Sequence, residues 1–170
     1  GAKVTAVERD AVVGGEGGER WPATLAVWAA GSAGLPLLER LGGFDLDAKG
    51  RIRVDPTLRS TTDEHVFALG DAASFVPRGS DRPLPPTAQV ASQQAVYLSQ
   101  TLPHAARDEP TEPFRYENKG KIVSLAGAGT IGKLAFGRRD DLLIGGTFAL
   151  AAYHALQRQH QWRILGPWQG

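Results

Sequence analysis

Apolar and polar positions alternate over residues 3–13, with Val4, Thr5, Val7, Val12 and Val13 supplying β-branched side chains, and this pattern predicts a strand. The turn Gly14-Gly15-Glu16-Gly17-Gly18 follows, and residues 21–30 read as a second strand that pairs with the first as a hairpin. This second run is apolar almost throughout and is followed by Gly31, the pattern of a buried strand closed by a glycine turn. Residues 35–41, LPLLERL, predict a short helix ended by Gly42-Gly43. A turn at Asp47-Ala48-Lys49-Gly50 then leads to a strand over residues 51–55, whose strict alternation implies one solvated face and which Pro56 ends.

The rest of the chain is organised around residues 61–75, TTDEHVFALGDAASF. Within it, Val66-Phe67-Ala68-Leu69 reads as a short parallel strand covered on both faces and ending at Gly70-Asp71. A glycine there lets a ligand approach the backbone, the aspartate adds an acceptor, and strand ends of open α/β sheets are where ligands bind. The expected fold class is therefore α/β. Residues 74–86, rich in Pro, Gly, Arg and Asp, read as a loop, and Pro85-Pro86-Thr87 suits a helix start. The helix is expected to reach Leu102, with Pro103 as its stop. Along it Ala88, Ala91, Ala95, Leu98 and Leu102 form one stripe, and Gln89, Gln93, Val96 and Gln100 another. The small-residue stripe suits close packing on a sheet. The glutamine stripe is either a solvated face or a row of neutral amides for a ligand's carbonyl groups.

Residues 104–113 form a charged linker, and Phe114-Arg115-Tyr116-Glu117-Asn118-Lys119-Gly120 leads into the next strand. Gly127-Ala128-Gly129-Thr130-Ile131-Gly132 satisfies G-x-G-x-x-G after a strand at residues 121–126. A dinucleotide fingerprint needs a helix opening at the third glycine. Only Lys133-Leu134-Ala135-Phe136 intervenes before Gly137, which suits the return strand of a hairpin. Residues 142–164 predict a helix with Phe148, Ala149, Ala152, Tyr153, Ala155 and Leu156 on one side and His154, Gln157, Arg158 and Gln161 on the other. Its apolar stretch is too short to span a bilayer. Arg158, His160, Trp162, Arg163 and Trp168 mix cations with indoles, which suits a lipid headgroup layer; a helix closing its own core, or a dimer contact, accounts for them equally.

Composition narrows the function classes. The chain has 170 residues and a formal net charge of +1, without the basic excess of a nucleic-acid binder. It has no cysteine, so disulfides, thiolate zinc sites and redox dithiols are excluded from this stretch, and its 4 histidines lack metal-ligand spacing. The N-terminal residues carry no signal-peptide pattern and begin as though inside an element, so a fragment of a longer chain is expected.

Several of these segments carry a resemblance. Thr61, a few turn residues, an apolar tetrad and Gly70-Asp71 resemble the second FAD fingerprint of two-dinucleotide-binding-domain flavoproteins. Ala88-Gln89-Val90-Ala91-Ser92-Gln93 resembles the Ala-Gln-x-Ala-x-Gln motif of type II NADH dehydrogenases, the single-subunit NADH:quinone oxidoreductases. Ala29-Ala30-Gly31 is similar to the segment where that family crosses from its NAD domain, and Phe114 to Gly120 to its Phe-x-Tyr-x-x-x-Gly segment.

The resemblance implies a fragment of such a flavoprotein: residues 1–31 as the end of the NAD(H) domain, 32–104 as the C-terminal part of the FAD domain, and 105–170 as a hairpin and amphipathic helix. It implies FAD contacts from Gly70, Asp71, Ala88, Gln89, Lys119 and Gly120. Gln89, Gln93 and Lys119 would lie on the quinone side, and Ala30 and Gly31 on the NADH side. The parent would pass electrons from NADH through FAD to a membrane quinone while held peripherally on the cytoplasmic side, with a homodimer possible. The first FAD fingerprint is absent from this stretch, so the fragment alone is expected to be inactive. Another FAD- and NAD(P)-dependent flavoprotein reductase is an alternative, although sulfide:quinone reductases place a cysteine here and disulfide reductases a His-Pro-Glu pair, and both are missing. A non-catalytic membrane-surface or dimerisation module is another.

Overall fold

Residues 3–13 form two strands rather than the single one their alternation predicts. The computed structural model describes residues 1–29, 34–125, 129–136 and 139–166, and divides into two compact units, Gly1–Pro113 and Phe114–Gly170. In the first unit, β1 (Val4–Val7), β2 (Ala11–Gly14) and β3 (Glu19–Pro22) make an antiparallel sheet in that order. The polar triplet Glu8-Arg9-Asp10 turns the chain between β1 and β2, where the Glu8 N–H donates to the Ala11 carbonyl at 2.8 Å. Arg20 on β3 clamps that turn, reaching Glu8 and Asp10 at 2.8 Å each. The expected strand over residues 21–30 ends at Pro22. Beyond it Leu25, Val27 and Trp28 are 80%, 79% and 67% exposed, because apolar composition makes a buried strand only where another layer covers it.

The short helix forms as expected, as α1 (Pro36–Leu41), with Leu38 buried and Gly42 at φ 65° ending it. So does the strand with one solvated face: β4 (Ile52–Val54) buries Ile52 and Val54 and exposes Arg53. Its parallel partner, however, is not the tetrad 66–69. It is β5 (Ala73–Phe75), with Ile52 opposite Ala73 and Val54 opposite Phe75, so the strand follows Gly70-Asp71 instead of preceding it.

Residues 66–68 are the return arm of a tight hairpin. The Ser60 N–H donates to the Val66 carbonyl and the Ala68 N–H to the Leu58 carbonyl, at 2.7 and 3.1 Å. Phe67 lies under the Arg59 guanidinium at 5.1 Å. Of the tetrad only Ala68 is buried, since the hairpin arm pairs it along one edge. The loop over residues 74–86 correspondingly begins later, after Phe75.

The long helix α2 (Ala88–Ala105) runs past Pro103. Proline this near a C-terminus removes one backbone bond, and the Ala106 N–H to the Leu102 carbonyl at 2.9 Å closes the last turn regardless. Its packed stripe also differs from the expected one: Val90, Gln94 and Leu98 are buried, whereas Ala88, Ala95 and Leu102 are exposed. The packed face is centred between the alanine and glutamine stripes. The core of this unit gathers Ile52, Val54, Leu58, Ala68, Ala73, Phe75, Val90 and Leu98.

The second unit is an antiparallel sheet of β6 (Gly120–Ser124), β7 (Thr130–Phe136) and β8 (Arg139–Gly145), followed by α3 (Gly146–Leu165). The hairpin reading of the glycine motif holds, because β6 and β7 pair antiparallel with no helix at Gly132. Gly132 is there for packing: a Cβ on it would meet side-chain atoms of Ile122 and Ile144, its neighbours on either strand, at 2.9 Å. The expected helix start at residue 142 is wrong by one strand end, since Leu142, Leu143 and Ile144 belong to β8. On α3 Ala149 is fully buried, while Phe148 and Leu156, expected on the same side, are 65% and 53% exposed.

Candidate functional site

The chain enters the site in extended conformation at Leu69 (φ −144°, ψ 166°) and turns at Gly70, φ 60°, into a single 3-10 turn over Gly70–Ala72. The Ala73 N–H closes it on the Gly70 carbonyl. Two constraints select glycine. The φ is left-handed, and a Cβ would sit 3.2 Å from the Cβ of Ala91 on α2. The turn is also bonded to the helix: the Gly70 N–H donates to Oε1 of Gln94 at 2.7 Å. Asp71 is exposed at the outer corner, and no hydrogen bond or ion pair from a described residue engages its carboxylate.

Helix α2 meets this turn through Ala91 and Gln94. Thr87 caps it in extended conformation, its Oγ1 accepting the Val90 N–H at 3.3 Å. The first turn holds no acidic residue, so no side chain of its own offsets the positive end of the helix dipole. Ala88 is exposed, and Gln89 and Gln93, one turn apart, are half-buried.

A buried ion pair fixes the approach to the helix. Nη2 of Arg51 meets Oδ2 of Asp47 at 2.6 Å, with side-chain exposures of 6% and 10%. Asp47 Oδ1 also accepts the N–H groups of Lys49 and Arg51, at 2.9 and 3.0 Å. Burial pushes the Asp47 carboxyl up, but the Arg51 guanidinium, those two N–H groups and the Ser74 hydroxyl together bring it down to about 2. Nη1 of Arg51 reaches the Leu84 carbonyl at 3.4 Å, and the Leu84 N–H donates to the Phe75 carbonyl at 2.9 Å. The loop is thus tied to β4 and β5 just before the Thr87 cap.

In the second unit Lys119 is an exposed residue preceding β6, and the Gly120 N–H donates to Oδ1 of Asn118 at 3.0 Å. Tyr116 is half-buried, which pushes its hydroxyl above its ordinary value. Ala30 and Gly31 lie outside the described residues. Gly70 is brought against Ala91 and Gln94 of α2 within the first unit, while Lys119 and Gly120 belong to the second. Gln94 was missed: its spacing of four from Val90 and Leu98 puts it on their stripe, but only the structure shows that this stripe is the packed one. Among the described residues no group of His, Cys, Asp or Glu side chains is placed to hold a metal.

The sequence profile of the family described as pyridine nucleotide-disulphide oxidoreductase matches residues 1–95. A type II NADH:quinone oxidoreductase of Haemophilus influenzae is 32% identical over 96% of this chain and 36% of its own length. One from Staphylococcus saprophyticus is 34% identical over 68% of this chain and 28% of its own. The chain thus spans about a third of the length of the curated relatives it matches. Among solved structures, the sulfide:quinone oxidoreductase of Aquifex aeolicus superposes with a TM-score of 0.70 over 96% of this chain and 40% of that one. At 18% identity this likeness speaks for the fold alone.

Proposed function

This chain belongs to the pyridine nucleotide-disulphide oxidoreductase family, and on that premise we propose that it is the C-terminal part of an FAD-dependent enzyme passing electrons from NADH to a membrane quinone. The observation that carries the reading is the packing of the Gly70-Asp71 turn on α2, against Ala91 inside the Ala88 to Gln93 segment and Gln94 just after it. The relatives named type II NADH:quinone oxidoreductases support it.

The residues present fit FAD. The Asp71 carboxylate is exposed and unengaged by described residues, so it can accept hydrogen bonds from the hydroxyls of a ribityl chain. Gly70 lets the turn that carries Asp71 sit close against Ala91 of α2. When bound, FAD supplies the redox chemistry, accepting a hydride and giving up electrons singly or in pairs. The start of α2, with no acid in its first turn, would favour negative charge on a bound flavin lying beside it. The amides of Gln89 and Gln93 would be able to donate to quinone carbonyls without adding a charge. The family resemblance assigns flavin contacts to Ala88 and, separately, to Lys119 and Gly120 of the second unit, and NADH-side contacts to Ala30 and Gly31.

The enzyme works at a membrane surface in this reading. No described helix is long and apolar enough to cross a bilayer. On α3, however, Phe148, Leu156, Trp162, Ile164 and Leu165 are each at least half exposed, and Arg158 and His160 stand among them. Trp162, with Arg158 and His160 near it, would suit the headgroup layer of the cytoplasmic face, while the exposed apolar residues are spread round α3 rather than gathered on one face.

The reading is tested by flavin retention. The longer protein, expressed to the length of its relatives, is expected to stay yellow through gel filtration and the Asp71→Ala variant to lose most of its FAD. A colourless wild-type protein that takes up no added FAD contradicts the reading.

A further inference from the structure

Gln94 is the one polar side chain of α2 that is fully buried, 1% exposed, on the stripe otherwise formed by Val90 and Leu98. Burying an amide on an apolar stripe is unfavourable unless a specific bond compensates, and a leucine or methionine would fill the same space without that cost. The bond in question is the 2.7 Å one from the Gly70 N–H. With Leu69 extended and Gly70 at φ 60°, this N–H is directed at the helix and away from any strand ladder. Without Gln94 this part-buried donor would lose its protein partner.

Resting on the FAD reading, we propose that Gln94 is a positioning residue: its amide holds the Gly70-Asp71 turn against α2, and so aims the Asp71 carboxylate at the ribityl chain without itself touching the cofactor. Gln94 and Ala91 are three residues apart on one helix face. The first bonds to Gly70, and the second sits where a Gly70 side chain would be. Together they fix both the approach and the rotation of the turn. A carboxylate carried on a short turn needs such support, because hydrogen-bond geometry degrades within about half an ångström.

The test uses the longer protein with Gln94→Met, of similar length and lacking the acceptor, and Gln94→Glu, which keeps it. The readouts are the FAD dissociation constant, the visible circular dichroism of the bound flavin and the melting temperature of the apoprotein. Gln94→Met is expected to weaken FAD binding about tenfold and to alter the flavin dichroism. Gln94→Glu, at mildly alkaline pH, is expected to restore both to within a few-fold of wild type. A Gln94→Met protein with wild-type FAD affinity and dichroism, whatever its melting temperature, overturns the inference and makes Gln94 a packing residue. Should Gln94→Met fail to fold, Gln94→Asn, one methylene too short to reach Gly70, takes its place with the same outcomes. A wild-type protein that binds no FAD fails the functional reading and this inference together. A wild type that binds it while the variants are unaffected fails the inference alone.

Discussion

Nη2 of Arg51 lies 2.6 Å from Oδ2 of Asp47, and the pair is almost wholly buried beneath the loop that delivers the chain to α2. Removing one partner strands the other, so Asp47→Ala is expected to cost about 3 kcal/mol of stability at neutral pH. The Asp47 carboxyl titrates at about 2 in the folded protein, against 3.8 ordinarily. Its lowered value means that its contribution is complete above the ordinary value and is lost as pH falls from there through about 2. Urea unfolding at successive pH values checks this: that acid loss should be present in wild type and missing from Asp47→Ala.

Leu58 is fully buried yet sits at φ 63°, an uncommon backbone for a leucine. Asp55 enforces the conformation, its Oδ1 accepting Thr57 N–H, Thr57 Oγ1 and Arg59 N–H between 2.8 and 3.0 Å. Leu58→Ala keeps the strain and loses the packing, so a loss of about 3 kcal/mol is expected in the same unfolding experiment.

Gly70 and Gly79 both have positive φ, 60° and 80°, but only Gly70 has a neighbour where a Cβ would go. Alanine at either position costs about 1–2 kcal/mol of backbone strain. Gly70→Ala is expected to weaken FAD binding in the longer protein as well, whereas Gly79→Ala should leave it unchanged. Equal FAD affinities for the two variants would separate the turn from the cofactor.

How much of this was legible in the sequence depended on whether the deciding interaction was local. The turn at Asp47, α1 with its glycine end, the exposed Arg53 between buried neighbours and the glycine hairpin at Gly132 follow from short-range chemistry, and all form as expected. The strand order around Gly70 was not legible, because residues 66–68 and 73–75 are both short and apolar and only their pairing partners tell them apart. The exposed run through Leu25, Val27 and Trp28 misled for the same reason: burial depends on what covers a segment. On the site side, the juxtaposition of Gly70-Asp71 with α2 could be inferred from motif order, but Gln94 could not be told from Gln93 until the packed face of the helix was fixed.

The C-terminal part of α3 is proposed to meet the membrane. Deleting residues 158–170 from the longer protein should release it from liposomes containing anionic lipid in co-sedimentation. Undiminished sedimentation would assign the exposed apolar residues of α3 to another role, such as a dimer contact.

Gln93 is proposed to lie on the acceptor side, and Gln93→Leu tests this by separating the two half-reactions. NADH should still bleach the flavin at the wild-type rate, while turnover with quinone falls at least several-fold. If both rates hold, the glutamine face of α2 is only surface.

The central claim is tested most directly by rapid mixing of the longer protein, first with NADH and then with a short-chain quinone, while flavin absorbance is followed. The account predicts bleaching by NADH and prompt recovery of the oxidised spectrum on adding quinone without oxygen. A flavin that NADH does not bleach, or that stays reduced in the presence of quinone, would contradict it.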